Sequence, residues 1–286
     1  MSKLSHCWRE FVTMGLGAGR NGQREGILLL HARRRLSEYL DLDSRLRVLD
    51  IGCGQRCPAV SAFTAWGWDA TGIDISHVGV KPGVSRYVRL ARAEGWKRLA
   101  RSLIRELFFD RPFRRELFRA LGVKMPKQVD VRLMSATNME FADNTFDLVY
   151  SMAVFEHIDD VPAAVRAVNR VLKPEGIGFI GLSPWPSLIG GHHPAWQNPD
   201  EYQPKDVPPW DHLRGHHFPV PFYCNKYRER DYRRVFEQYT RVLEWIDGPR
   251  VGESLVTDEI LAGLPDYTAD ELAKWSVTAI IGKKLE

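Results

Sequence analysis

Hydrophobic and polar positions along this chain follow two different periods. Residues 24–40 (REGILLLHARRRLSEYL) carry Ile27, Leu30, Leu36 and Leu40 at helical spacing and predict a helix with that face buried. Asp41–Ser44 then turn the chain into Arg47–Ile51, a short apolar run of the kind that forms a buried strand. Similar runs predict strands at 69–75, 129–134, 146–151 and 177–182. Val161–Leu172 returns to helical spacing and stops at Lys173-Pro174-Glu175-Gly176. Two late strands, Thr240–Ile246 and Ser276–Gly282, with a helix Ala269–Trp275 before the second, complete the series. This alternation predicts an α/β fold with a doubly wound, seven-stranded sheet whose last two strands form an antiparallel edge.

Two segments are too long to be simple connections, and the expected organisation is one domain over 1–286 with both as insertions. The segment 77–128 looks helical, with Trp96, Leu99, Leu103, Ile104, Leu107 and Phe108 in an apolar stripe beside basic residues. The segment 183–225 is rich in His, Trp, Pro and Gly and reads as a lid. Both leave the carboxyl-end side of the sheet, where open α/β folds bind ligands.

Charge changes this picture in one place. The formal net charge is +4, yet Lys81–Met134 holds 15 Lys/Arg against 5 Asp/Glu, leaving 25 against 31 elsewhere. A general nucleic-acid binder would not concentrate its charge so, and no recognised RNA-binding module is present. The basic segment has three readings: attraction of an anionic acceptor, contact with an anionic membrane surface, or a solvated helical face packed by its apolar stripe. No apolar run approaches the ~18 residues that span a membrane, and MSKLSHCWREF lacks the apolar core of a secretory signal. A cytoplasmic protein is expected. Its four cysteines, Cys7, Cys53, Cys57 and Cys224, suit neither a disulfide framework nor a zinc site, and reduced thiols are expected.

The most specific stretch is Val48-Leu49-Asp50-Ile51-Gly52-Cys53-Gly54. A buried strand delivers the backbone to a tight turn, where two glycines leave room for a ligand. Asp50 can accept a hydrogen bond or ion pair from a cationic amino group. Asp74, at the tip of the next strand, is placed to hold two ribose hydroxyls. A dinucleotide site would want a third glycine where Cys57 stands, and its pyrophosphate would be repelled by the aspartate before the first glycine. An amino-acid ammonium would be attracted.

With these motifs the chain resembles the class I S-adenosylmethionine (SAM)-dependent methyltransferases, particularly the small-molecule group, over about residues 45–183. Ser135–Asp147, Phe155-Glu156-His157-Ile158 and Val171–Gly176 stand where that family has similar sequences. The resemblance implies a Rossmann-like methyltransferase fold with SAM as cofactor. It implies that Gly52, Cys53 and Gly54 pack on the methionine part, with Asp50 near its amino group and Asp74 on the ribose. Ile75 would flank the adenine, Ser135 and Ala136 would contact its edge, and Ser151 would line the methionine side. The family commonly has Asp at the place of Ser135, so that contact is weaker here.

Methyl transfer needs an aligned nucleophile and, for a hydroxyl, a base. His192, His193, Asp211 and His217 of the late segment are the candidate catalytic residues. Its aromatic residues (Trp185, Trp196, Tyr202, Trp210, Phe218, Phe222, Tyr223) suit a lid that stacks on a ring. The reading is O-methylation of a small polar, saccharide-like acceptor. The alternatives are N-methylation, lipid-headgroup methylation at a membrane surface, or SAM binding without catalysis. Some related methyltransferases hold a divalent ion on a Glu-x-x-Glu-His pattern. Glu156 and His157 match its last two positions, but Ala153 replaces the first Glu, so no metal is predicted, and a site made by the late histidines is left open. The oligomeric state is not legible.

Overall fold

The computed structural model describes residues 3–75, 106–196, 199, 203–215, 217–220 and 223–285, with side chains from residue 17 onward. The chain divides into two compact units, Met1–Leu133 and Met134–Glu286.

The first unit contains α1 (Lys3–Leu36), β1 (Arg47–Ile51), α2 (Pro58–Ala65), β2 (Asp69–Asp74), α3 (Arg111–Leu121) and β3 (Asp130–Leu133). β1 and β2 are parallel, in register from Arg47↔Asp69 to Ile51↔Ile73, and β3 continues the sheet from Thr71↔Asp130 to Asp74↔Leu133. α1 is longer than its apolar spacing suggested, and its inward face is different. Leu29 and Leu36 are fully buried with Ala18 and Ala32, while Ile27 and Leu30 are exposed. The reason is close packing on α3 through glycines. A Cβ on Gly22 would lie 2.1 Å from the Phe113 carbonyl oxygen, and one on Gly26 would lie 2.8 Å from Ala120 Cβ.

Of the basic segment, Trp96, Leu99, Leu103 and Ile104 lie outside the described residues. Its remaining part is helical: one π-helical turn, Glu106–Asp110, leads into α3. Leu107 and Phe108 are exposed, and Phe113, Leu117, Phe118 and Leu121 form the buried face instead. The charges here pair locally. Arg114 pairs with Glu106, Arg119 with Glu116 at 2.6 Å, and Arg56 with Asp110 at 2.8 Å while lying over the Phe113 ring.

The second unit contains β4 (Phe146–Met152), α4 (Val161–Val171), β5 (Leu172–Leu182), α5 (Glu229–Tyr239), β6 (Arg241–Asp247), α6 (Asp258–Gly263), α7 (Ala269–Ala273) and β7 (Val277–Gly282). Asp160 caps α4 by accepting from the Ala163 amide at 2.8 Å, and Pro162 suits that first turn. Val161, Ala164, Val165, Val168 and Val171 form its buried face. β5 runs parallel to β4, with a register shift that absorbs Lys173–Gly176. Lys173 closes that irregularity on Asp147, at 2.8 Å. β7 pairs antiparallel with both β5 and β6, which gives the expected antiparallel edge. The sheet has seven strands in the order β3-β2-β1-β4-β5-β7-β6.

The 183–225 segment is more deeply packed than a lid of stacking rings. Trp185, Trp196 and Trp210 are buried. Trp196 and Trp210 join Leu188, Val251 and Leu272 in a small second core, where the Trp210 indole donates to the Leu272 carbonyl at 3.2 Å. These three indoles are therefore not available to stack on an acceptor. Phe218 and Tyr223 are exposed, and Tyr202 and Phe222 lie outside the described residues. Among the described residues, no helix is long and apolar enough to cross a membrane.

Candidate functional site

In the first unit the predicted donor residues converge at the carboxyl ends of β1 and β2. Gly52 and Gly54 adopt φ values of 70° and 63°, the left-handed region that glycine occupies without strain. The amides of Gly52 and Cys53 donate to the Ile73 carbonyl at 2.8 and 3.1 Å, stitching the turn to β2. Asp74 accepts from the Gly54 amide at 3.0 Å, so the carboxylate expected on a ribose also orders the turn. Cys57 stands where a dinucleotide-binding turn has its third glycine, at φ 48°, and its thiol donates to the Gly54 carbonyl at 3.1 Å. The tight strand–helix approach is supplied elsewhere: a Cβ on Gly72 would lie 2.6 Å from Val60 Cγ2 and 2.9 Å from Cys53 Sγ.

Asp50 is buried at the end of β1, and its Oδ2 has no hydrogen-bond partner. Burial pushes its pKa well up, with Cys57 adding to the effect, and the Val60 amide opposes it. An orphaned buried carboxylate oxygen is costly, and a cationic group is its natural partner. Beyond Asp74, Ile75 is 74% exposed and Leu133, paired in register with Asp74, is 70% exposed. Two bare apolar side chains at neighbouring strand ends suit a flat heterocycle. Leu133 was missed in the sequence, where it reads as one more residue of a buried strand.

In the second unit Ser135 closes its own turn. Its hydroxyl lies 2.8 Å from Thr137 Oγ1 and accepts from the Thr137 amide at 3.2 Å. Ala136 beside it is buried. Ser151 is fully buried within β4, and Met152 is the residue at that strand end with an exposed side chain.

The four candidate catalytic residues fall into separate groups. Asp211 and His217 form a pair, with His217 Nδ1 3.0 Å from Asp211 Oδ1. The Phe218 amide donates to the other carboxylate oxygen at 2.9 Å. Asp211 is buried while the His217 side chain is largely exposed, so the ring is oriented through Nδ1 and presents Nε2 outward. His193 accepts from the Ala195 amide at 3.2 Å and meets the Phe218 ring edge-on.

His192 belongs elsewhere, with Glu156 and His157 of the turn Phe155–His157 that follows β4. Its Nε2 lies 3.7 Å from Glu156 Oε1, and its ring centroid is 4.8 Å from that of His157. Glu156 is 3% exposed, and burial raises its pKa despite the opposing influence of His157 and the Ser183 hydroxyl. Burial, with the charge of His157, pushes His192 down to about 4, so its imidazole is neutral near pH 7. The turn is clamped by Asn225, another residue the sequence did not single out. Its amide group donates to the carbonyls of Phe155 at 2.7 Å and Ile158 at 3.0 Å, and its backbone N–H donates to Glu156 at 2.9 Å. Tyr232 and the Tyr227 amide donate to its oxygen, each at 3.1 Å.

The strand order and the glycine turn define a Rossmann-like α/β fold of the methyltransferase type. A family model described as "Methyltransferase domain" matches residues 22–239. The chain belongs to that family. It is 26% identical over 172 residues to the O-methyltransferase rstn1 of Aspergillus nomiae, a match covering 58% of this chain and 62% of that one. It is 27% identical over 147 residues to phosphoethanolamine N-methyltransferase 3 of Arabidopsis thaliana, covering 51% and 23%. The chain thus spans less than two thirds of these relatives' length. A SAM-dependent methyltransferase structure from Methanosarcina mazei aligns with 88% of this chain and 97% of its own, at 15% identity and a TM-score of 0.48.

Proposed function

We propose that this protein transfers a methyl group from SAM to a hydroxyl of a small molecule. The observation that carries the donor assignment is Asp50 Oδ2, an unpartnered buried acceptor beside a glycine turn. When bound, SAM supplies a methyl group on a positively charged sulfur. Asp50 accepts from its amino group, the open face of Gly54 admits its methionine chain, and Asp74 accepts from its ribose hydroxyls. Ile75 and Leu133 flank its adenine. Ser135 and Ala136 for the adenine edge and Ser151 for the methionine side stay in the proposed donor set as the family resemblance implies.

The Asp211–His217 pair favours oxygen as the acceptor atom. A hydroxyl must lose its proton as it attacks, and a carboxylate-oriented imidazole is suited to taking it. His193, whose ring lies against Phe218, borders the same loop and orients the acceptor. The tryptophans that suggested a sugar-like ring are in the core, so the acceptor is defined only as a small molecule with an ionisable hydroxyl.

The test is calorimetric titration with SAM and S-adenosylhomocysteine, followed by turnover assays on candidate phenols and alcohols. The expected result is micromolar binding by the wild type that Asp74→Ala abolishes. His217→Ala should lower kcat by about 100-fold or more without altering donor binding. Absence of donor binding by the wild type would sink the whole reading. Full turnover by His217→Ala would remove the base assignment alone.

A further inference from the structure

We propose that Glu156, His157 and His192 form a binding site for one divalent transition-metal ion of the Zn²⁺ class, with three protein ligands and an open coordination position. One ligand atom from each residue lies within 4.8 Å of the other two. In a tetrahedral site with bonds of about 2.0–2.1 Å, ligand atoms sit about 3.4 Å apart. Glu156 Oε1 and His192 Nε2, at 3.7 Å, nearly meet that spacing already. Small side-chain rotations bring in the third ligand. The expectation that no ion sits beside Glu156 rested on Ala153, but the fold supplies a third ligand from a separate loop.

Three further features belong to a metal site rather than to chance proximity. His157 Nδ1 lies 2.8 Å from the Tyr223 carbonyl, to which it donates, and this contact orients the ring. Metal-bound histidines are characteristically fixed in this way by a hydrogen bond from their other nitrogen. Glu156 is 3% exposed, and among the described residues its carboxylate is met only by the Ser183 hydroxyl, its own backbone amide and the two histidines, none closing a hydrogen bond of full geometry on it. His192 holds a left-handed backbone at φ 51°, a conformation that is strained for a non-glycine residue and recurs at ligand clamps. Two imidazoles and one carboxylate suit Zn²⁺ or Co²⁺; Mg²⁺ prefers an all-oxygen octahedron. Three ligands with one open position is the pattern of sites that bind water or a substrate oxygen.

The test uses full-length, tag-free, chelator-treated protein titrated with Co²⁺ by calorimetry and visible absorption, then with Zn²⁺ as competitor. The expected result is one Co²⁺ per chain at micromolar affinity, with intense ligand-field bands that Zn²⁺ abolishes. His192→Ala, His157→Ala and Glu156→Gln should each weaken binding by at least ~100-fold. His193→Ala and His217→Ala should bind as the wild type does. Circular dichroism checks that each variant is folded, and the near-isosteric Glu156→Gln keeps the test open if an alanine variant is not. No stoichiometric binding by the wild type overturns the proposal, as does undiminished binding by His192→Ala or an equal loss in His193→Ala. The titration needs no methyl donor, so it fails or succeeds independently of the donor assignment.

Discussion

Asp211 joins a buried carboxylate to an exposed imidazole and to the Phe218 amide. Burial pushes its pKa up, but the Phe218 amide and His217 outweigh this and hold it below the usual carboxylate range. A carboxylate depressed in the folded state contributes stability that is complete above its unfolded pKa, about 3.9. That contribution is lost as pH falls through the folded value. Urea unfolding midpoints should therefore fall in acid for the wild type, and Asp211→Asn should show a smaller fall between about pH 5 and pH 2. Identical pH profiles would show that the carboxylate does not hold the loop. At this scale the glycine turn after β1 was legible because its requirements are local: two glycines, an aspartate before them and another at the next strand end. The grouping of His192 with Glu156 was not, because the partners come from different loops and nothing in either stretch names the other.

β1 and β4 were read nearly residue for residue, since buried strands appear as continuous apolar runs whatever their neighbours. β5, by contrast, starts at Leu172, where the polar run Lys173–Gly176 read as a helix stop. Helix α1 was misread on its inward face, because a glycine contact leaves no hydrophobic signal. Two substitutions separate propensity from packing there. Gly17 has nothing within 4 Å of an added Cβ, so Gly17→Ala should raise stability by up to about 1 kcal/mol. Gly22→Ala gains the same propensity but drives a methyl into the Phe113 carbonyl. A backbone clash of this kind costs roughly 1–3 kcal/mol, so this variant should be the less stable one. Thermal denaturation of the pair checks the ordering; equal gains would mean that the helices separate freely.

For the whole molecule, the predicted cost of the donor site is a buried, poorly partnered Asp50. Asp50→Asn should unfold at a temperature no lower than the wild type, since it removes a desolvated carboxylate. It should also lose the response to ligand. For the wild type, S-adenosylhomocysteine at one hundred times its Kd adds about 2.7 kcal/mol and a rise in Tm on the order of 5 °C. A full ligand-induced rise in Asp50→Asn would show that the carboxylate serves only the fold. The seven-stranded, doubly wound sheet with its antiparallel edge was also legible, because strand–helix alternation limits the ways a chain can wind. The packing of the 183–225 segment was not, since a tryptophan reads the same whether it faces a ligand or a core.

Asn225 also has a kinetic consequence. Because it holds Phe155, Glu156 and Ile158 at once, the turn 155–158 cannot loosen without releasing the loop at 223–227. Opening there should be a single event, and the amides of Ile158, Asn225 and Tyr227 should exchange with deuterium at one common rate. Asn225→Ala should accelerate all three together, and separate rates in the wild type would mean that the two segments breathe independently.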